Sequence, residues 1–134
     1  DIELCSERIE DHTPRESYDC AVANLFLHHF RSPDVRHLLH RLRSFVRSRV
    51  LITDLRRGPI PFIGFVLLSA VLPGAVCRDG LLSIRRGFTP ESLQQLLTAI
   101  PDVEVRVARA SPFGVTARLT YRCQEVCAEA WREP

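Results

Sequence analysis

Two short runs without a charged residue, CAVA (20–23) and VLIT (50–53), are separated by a single amphipathic helical pattern. A continuous apolar run of strand length is expected of a strand covered on both faces of a parallel sheet. Two such runs joined by a helix define a βαβ unit, right-handed by default. The first strand is predicted over residues 18–24. The second is predicted over 50–53, ending at Asp54. Between them Ser32 offers an N-cap, Pro33 the first helical position and Asp34 a first-turn acid. Val35, Leu38, Leu39, Leu42, Phe45 and Val46 then form one apolar face of a helix of about 14 residues. The opposite face carries Arg36, His40, Arg43 and Arg47. A solvated surface explains that stripe. Nucleic-acid binding would call for interleaved aromatics or a known module.

The remaining elements follow from changes of period. Residues 2–6 are expected to form a short strand and 7–17 a polar loop. Residues 1–19 hold seven acids against two arginines. A second helical segment, 60–72, is apolar nearly all round and is expected to be buried or covered. Residues 73–88 are read as a long excursion. Thr89-Pro90-Glu91 opens a third helix with Leu93, Leu96, Leu97 and Ile100 as its stripe. After Pro101 the period becomes two. Val103, Val105 and Val107 precede an SPFG turn, and Val115, Ala117, Leu119 and Tyr121 follow it, which predicts a terminal antiparallel hairpin. No repeat or linker interrupts the chain. One domain is therefore expected over 1–123, with 124–134 a frayed or disordered tail.

Composition narrows the class. A chain of 134 residues with net charge +2 fits one globular domain, and its charge directs it neither to nucleic acid nor to membrane. All 18 basic residues are Arg, as a GC-rich coding sequence would give. A chain without Met that begins at DIELC is expected to be a fragment or a processed product. Five cysteines (5, 20, 77, 123 and 127) include no CxxC, which argues against a disulfide framework and a zinc site. Reduced thiols fit a cytoplasmic location. The longest apolar run, 59–74, is too short and too interrupted by Pro and Gly to span a bilayer.

Alternating strands and helices that finish in an antiparallel hairpin are a specific combination, and three stretches make it more so: YDCAVANLFLHHF, LITDLRRG and RDGLLSIRRGFTPESLQQLL. From residue 2 to about 123 the sequence resembles the C-terminal two-thirds of a class I S-adenosylmethionine-dependent methyltransferase. It is most similar to the small-molecule group that includes ubiquinone/menaquinone-type C-methyltransferases. The three stretches resemble that group's fourth-strand motif, its fifth strand and exit, and the segment before the final hairpin. The resemblance implies an α/β fold: part of a Rossmann-like methyltransferase sheet, parallel strands with helices, closed by the hairpin. The six glycines form no GxGxG, so the glycine-rich motif after the family's first strand is absent, and so is the acid that closes its second. In the family's strand order, 3-2-1-4-5-7-6, the strand over 2–6 would then have no neighbour and strand 18–24 would present a bare apolar edge. A partner chain, a strand-exchanged oligomer or a cleaved N-terminal piece is expected to supply it.

The resemblance also implies roles. Ligands of open α/β sheets bind beyond the carboxyl ends of the strands. Glu7 and Arg8 match positions near the adenine, and Asn24 and Leu25 positions along the methionine part of S-adenosylmethionine. His28 and His29 fall between that strand and a helix start, where a His can act as general base or orient an acceptor. A structural pair, one packing and one capping, explains the same residues. Asp54 and Arg57 match the exit of the fifth strand, where they line an acceptor pocket or pair with each other. Asp79, Arg85 and Arg86 lie in the segment that folds over the acceptor, or form surface ion pairs. No metal ligand set is expected. The leading reading is methyl transfer to a small apolar or aromatic acceptor, dependent on the missing N-terminal segment. The alternative is a catalytically silent, methyltransferase-like interaction module.

Overall fold

A computed structural model describes residues 4–122. Four strands form one sheet in the order β1-β2-β4-β3. They are β1 (Tyr18–Asn24), β2 (Val46–Leu55), β3 (Val103–Arg109) and β4 (Gly114–Tyr121). β1 and β2 are parallel, with Ala21 opposite Val50 and Asn24 opposite Thr53. β4 runs antiparallel to both β2 and β3. The two apolar runs therefore lie side by side, and Asn24 and Asp54 emerge at the same rim.

Helix α1 (Ser32–Arg43) makes the crossover, and α4 (Pro90–Thr98) leads into the hairpin. Their stripes cover one face of the sheet: Val35, Leu39, Leu42, Leu93, Leu96 and Leu97 pack with Val50, Ile52, Val115, Ala117 and Leu119. Burying each such side chain stabilises the fold by about 1.5–3 kcal/mol before entropy is set against it. α4 begins where the sequence says. Thr89 accepts from the Ser92 backbone, and the Ser92 hydroxyl accepts from the Thr89 backbone, which closes a capping box.

Several expectations need correction. The cap of α1 is Arg31, and Ser32 is the first helical residue, with no side-chain cap. The helix stops at Arg43. Phe45 and Val46 fill the same core from beyond it, Val46 as the first residue of a strand that runs to Leu55. Leu4–Ser6, the described part of the strand expected over 2–6, is not in a strand, because no neighbour there offers a ladder. β1 is not covered on both faces. It pairs with β2 alone, and Val22 is 70% exposed. The tail 124–134 lies outside the described residues.

The largest departures fall between β2 and α4. The segment read as an excursion is a helix, α3 (Gly74–Arg86). It packs on α2 (Pro59–Ser69), whose only buried residue is Pro61. The apolar helix expected to be covered is thus covered by α3 on one side only, with Ile60, Ile63 and Leu67 exposed. Two glycines set the geometry. A Cβ at Gly80 would overlap the Phe65 ring, so the two helices close through that gap. A Cβ at Gly87 would stand 2.5 Å from the Leu55 carbonyl oxygen. That close approach lets Phe88 donate its N–H to Leu55 O at 3.0 Å and accept from Arg57 N at 3.0 Å, which ties the end of α3 to the exit of β2.

One buried group is left without a partner. The Tyr121 hydroxyl makes no hydrogen bond to the described residues. Burial pushes the phenol up to about 12, against the opposing charge of Arg43, whose guanidinium lies 5.8 Å from the ring centroid. A raised pKa favours the neutral form in the folded state. Stability is therefore expected to be flat below pH 10 and to fall as pH climbs through 12, where the unfolded phenol ionises first. In Tyr121→Phe that alkaline loss should disappear, with neutral-pH stability unchanged or raised by up to about 1 kcal/mol. Urea titrations of both proteins between pH 8 and 12 test it, and parallel alkaline losses would refute it.

Candidate active site

The rim of the sheet is built by the end of β1. After Asn24 the chain turns sharply: Leu25 takes φ 50° and donates its N–H to Thr53 O at 2.8 Å. A single 3-10 turn, Leu27–His29, follows. Leu27 is fully buried and anchors the turn in the core, which aims His28 inward and leaves His29 outside.

His28 meets Asp54 there. Asp54 alternates with Val50 and Ile52 on the helix-covered face of β2 and is as buried as they are. Its Oδ1 lies 2.6 Å from His28 Nδ1 and accepts from Leu55 N at 2.7 Å. Its Oδ2 accepts from His28 N at 3.1 Å. Three donors thus satisfy a buried carboxylate, as a charge away from water requires. In the tautomer that places the ring proton on Nδ1, facing the carboxylate, Nε2 is the nitrogen left to accept. Nε2 bonds to no described residue, and the side chain keeps 5% of its surface exposed. The His29 ring lies beside His28, with centroids 4.1 Å apart.

The remaining residues fall into two further groups. Asn24 is exposed, its side chain bonds to no described residue, and it lines a groove of about 560 Å³ along β1 and α1 with Ile9, His12, Phe26 and Leu27. Glu7 and Arg8 line an adjoining cavity of about 490 Å³ that shares Ile9, His12 and Phe26 with the groove. Leu25 is half exposed at the same rim. Arg57 and Arg86 share a smaller cleft with Phe30, Ser32 and Phe88. Asp54 is not paired with Arg57, as the sequence allowed. The strand continues one residue past Asp54 and turns its carboxylate inward to His28. Asp79, Arg85 and Arg86 form no ion pair among the described residues. They lie on α3, not in a loop.

Sequence reasoning missed His12. Its Nδ1 pairs with Glu7 and its Nε2 lies 3.1 Å from the Tyr18 hydroxyl, linking the N-terminal loop to the first residue of β1. A lone His within a polar loop gives no periodic signal. Among the described residues, no cluster of three or more His, Cys, Asp and Glu side chains can hold a metal.

No family model matches the sequence, and no curated protein is similar to it. Solved structures do match. The plantazolicin methyltransferase BpumL, in complex with a triazolic desmethylPZN analog and SAH, gives a TM-score of 0.67 at 16% identity, over 90% of this chain and 58% of that one. DhpI in its SAH complex gives 0.60 at 20% identity, over 89% and 54%. Magnesium protoporphyrin IX methyltransferase (ChlM) from Synechocystis PCC 6803, with bound SAH, gives 0.54 at 10% identity, over 87% and 49%. The chain spans less than two thirds of the length of each. These likenesses establish the fold: a partial Rossmann-like methyltransferase sheet, finished by an antiparallel hairpin.

Proposed function

We propose that residues 1–123 are the C-terminal part of an S-adenosylmethionine-dependent methyltransferase acting on a small apolar or aromatic acceptor in a reducing cytoplasm, with 124–134 a tail. The observation that carries this reading is the His28–Asp54 pair at the carboxyl rim of a methyltransferase sheet. The cofactor supplies an activated methyl group, so the protein's task is alignment and, for an acceptor with a proton to lose, a base. His28 is that base, oriented by Asp54. His29 flanks it on the solvent side.

The donor set at the groove fits the cofactor's polar parts. The free Asn24 amide offers a donor to a carboxylate and an acceptor to an ammonium. Leu25 brings apolar contact beside it. Glu7 keeps lone pairs beyond its bond to His12 and can accept from an exocyclic amine, with Arg8 at its side. Arg57 and Arg86 anchor a polar edge of the acceptor. The free edge of β1 takes a further parallel strand from an N-terminal segment, a partner chain or an exchanged copy, and that strand brings the other half of the cradle. SAH titrated calorimetrically into the protein with that segment supplied should bind, and Asn24→Ala should weaken binding about ten-fold, the loss of about one charge-assisted hydrogen bond. A second reading, a catalytically silent interaction module, draws on the same unpaired edge. Absence of SAH binding with the segment present would favour it and defeat the first.

A further inference from the structure

From Pro59 to Cys77 the chain carries no charged residue, yet α2 lies on the surface. Ile60, Ile63 and Leu67, at i, i+3 and i+7, form one stripe with exposures of 55%, 58% and 73%, and Val71 beyond the helix is 80% exposed. α2 and α3 form an antiparallel hairpin. Phe65 lies against Gly80, and nearer the turn the Cys77 thiol lies 3.4 Å from Ser69 O. Its tip, residues 68–76, is wholly uncharged. Its base is basic: Arg56 and Arg57 precede α2, and Arg85 and Arg86 end α3. Across residues 55–88 Asp79 is the sole acid against five arginines. Arg57, Arg78, Arg85 and Arg86 form no ion pair among the described residues.

We propose that this hairpin docks on an anionic membrane surface, its apolar tip and α2 stripe among the acyl chains and its arginine collar at the lipid phosphates. No helix among the described residues is long and apolar enough to cross a bilayer, so the hairpin lies in the interface. α3 is the helix that packs on the Leu27–His29 turn, which leaves the α2 stripe facing outward. An apolar surface with a positive rim and almost no acid complements an anionic bilayer in both respects, hydrophobic and electrostatic.

The test is sedimentation of the full-length protein with phosphatidylcholine vesicles, with and without one quarter phosphatidylglycerol. Binding to the anionic vesicles is expected, about ten-fold weaker without the anionic lipid, and about ten-fold weaker in the double variant Leu67→Glu, Val71→Glu. Arg78→Gln with Arg85→Gln, both exposed, should erase most of the preference for anionic lipid. Both acidic substitutions fall on exposed positions, and matching circular dichroism spectra confirm folding. If they fail to fold, Leu67→Ser with Val71→Ser replaces them. Equal sedimentation of wild type and variant overturns the proposal, as does no sedimentation with either vesicle. A vesicle-free dimer that the variant dissolves, without vesicle binding, overturns it too and assigns the stripe to a second copy. The inference rests on this surface and not on methyl transfer, so vesicle binding and SAH titration fail separately.

Discussion

Asp54→Ala should lower stability by about 3 kcal/mol, the largest loss expected from any exchange at the rim. The carboxylate is 1% exposed and accepts from His28 N, His28 Nδ1 and Leu55 N. Removing it leaves three donors without partners where water enters poorly, and it opens a void beside Ile52. The separate penalties, about 1–3 kcal/mol each, do not sum, because the 3-10 turn can relax outward and hydrate. Asp54→Asn should cost less, about 1–2 kcal/mol. It keeps the volume and one acceptor oxygen, yet it sets an amide donor against a donor on one side. The measurement is the shift of the urea midpoint at constant m-value. If Asp54→Ala unfolds within about 0.5 kcal/mol of wild type, the carboxylate does not hold the turn. The candidate base would then lose its orienting group.

The Asp54 pairing also shows where local pattern ends. β1, α1, α4 and the hairpin were legible because each carries its signal in its own residues: a continuous apolar run, a period near 3.6, the Thr89-Pro90-Glu91 helix start, or a period of two. The stripe of α1 ran two residues too far because Phe45 and Val46 serve the same core from a different backbone geometry. α3 was hidden because its glycines read as loop residues. Gly80 is there to admit the Phe65 ring, a tertiary reason that no window on the helix contains. The exposure of α2 was illegible for a related reason. An all-apolar helix is covered by default, and only the tertiary packing puts it outside. At the site, Asn24 and Asp54 were readable as strand-end residues, and His28 as lying between a strand and a helix start. That two of them bond to each other across 26 residues was not, since it depends on β2 running on to Leu55.

For an acceptor that must lose a proton, His28→Gln should lower kcat by about 10²–10⁴, the contribution of one positioned base, and leave SAH affinity unchanged. The Nδ1 bond to Asp54 fixes the ring and leaves Nε2 as the ring nitrogen without a partner among the described residues. Glutamine retains a polar head near Asp54 but supplies no base. A structural pair makes a different forecast: the midpoint of unfolding moves, while kcat per folded molecule does not. His29→Ala separates the two rings. His29 is exposed and its side chain hydrogen-bonds to no described residue, so its removal should change kcat by less than about three-fold. If His29→Ala rather than His28→Gln abolishes turnover, the base is the outer ring, and Asp54 serves to anchor the turn that presents it.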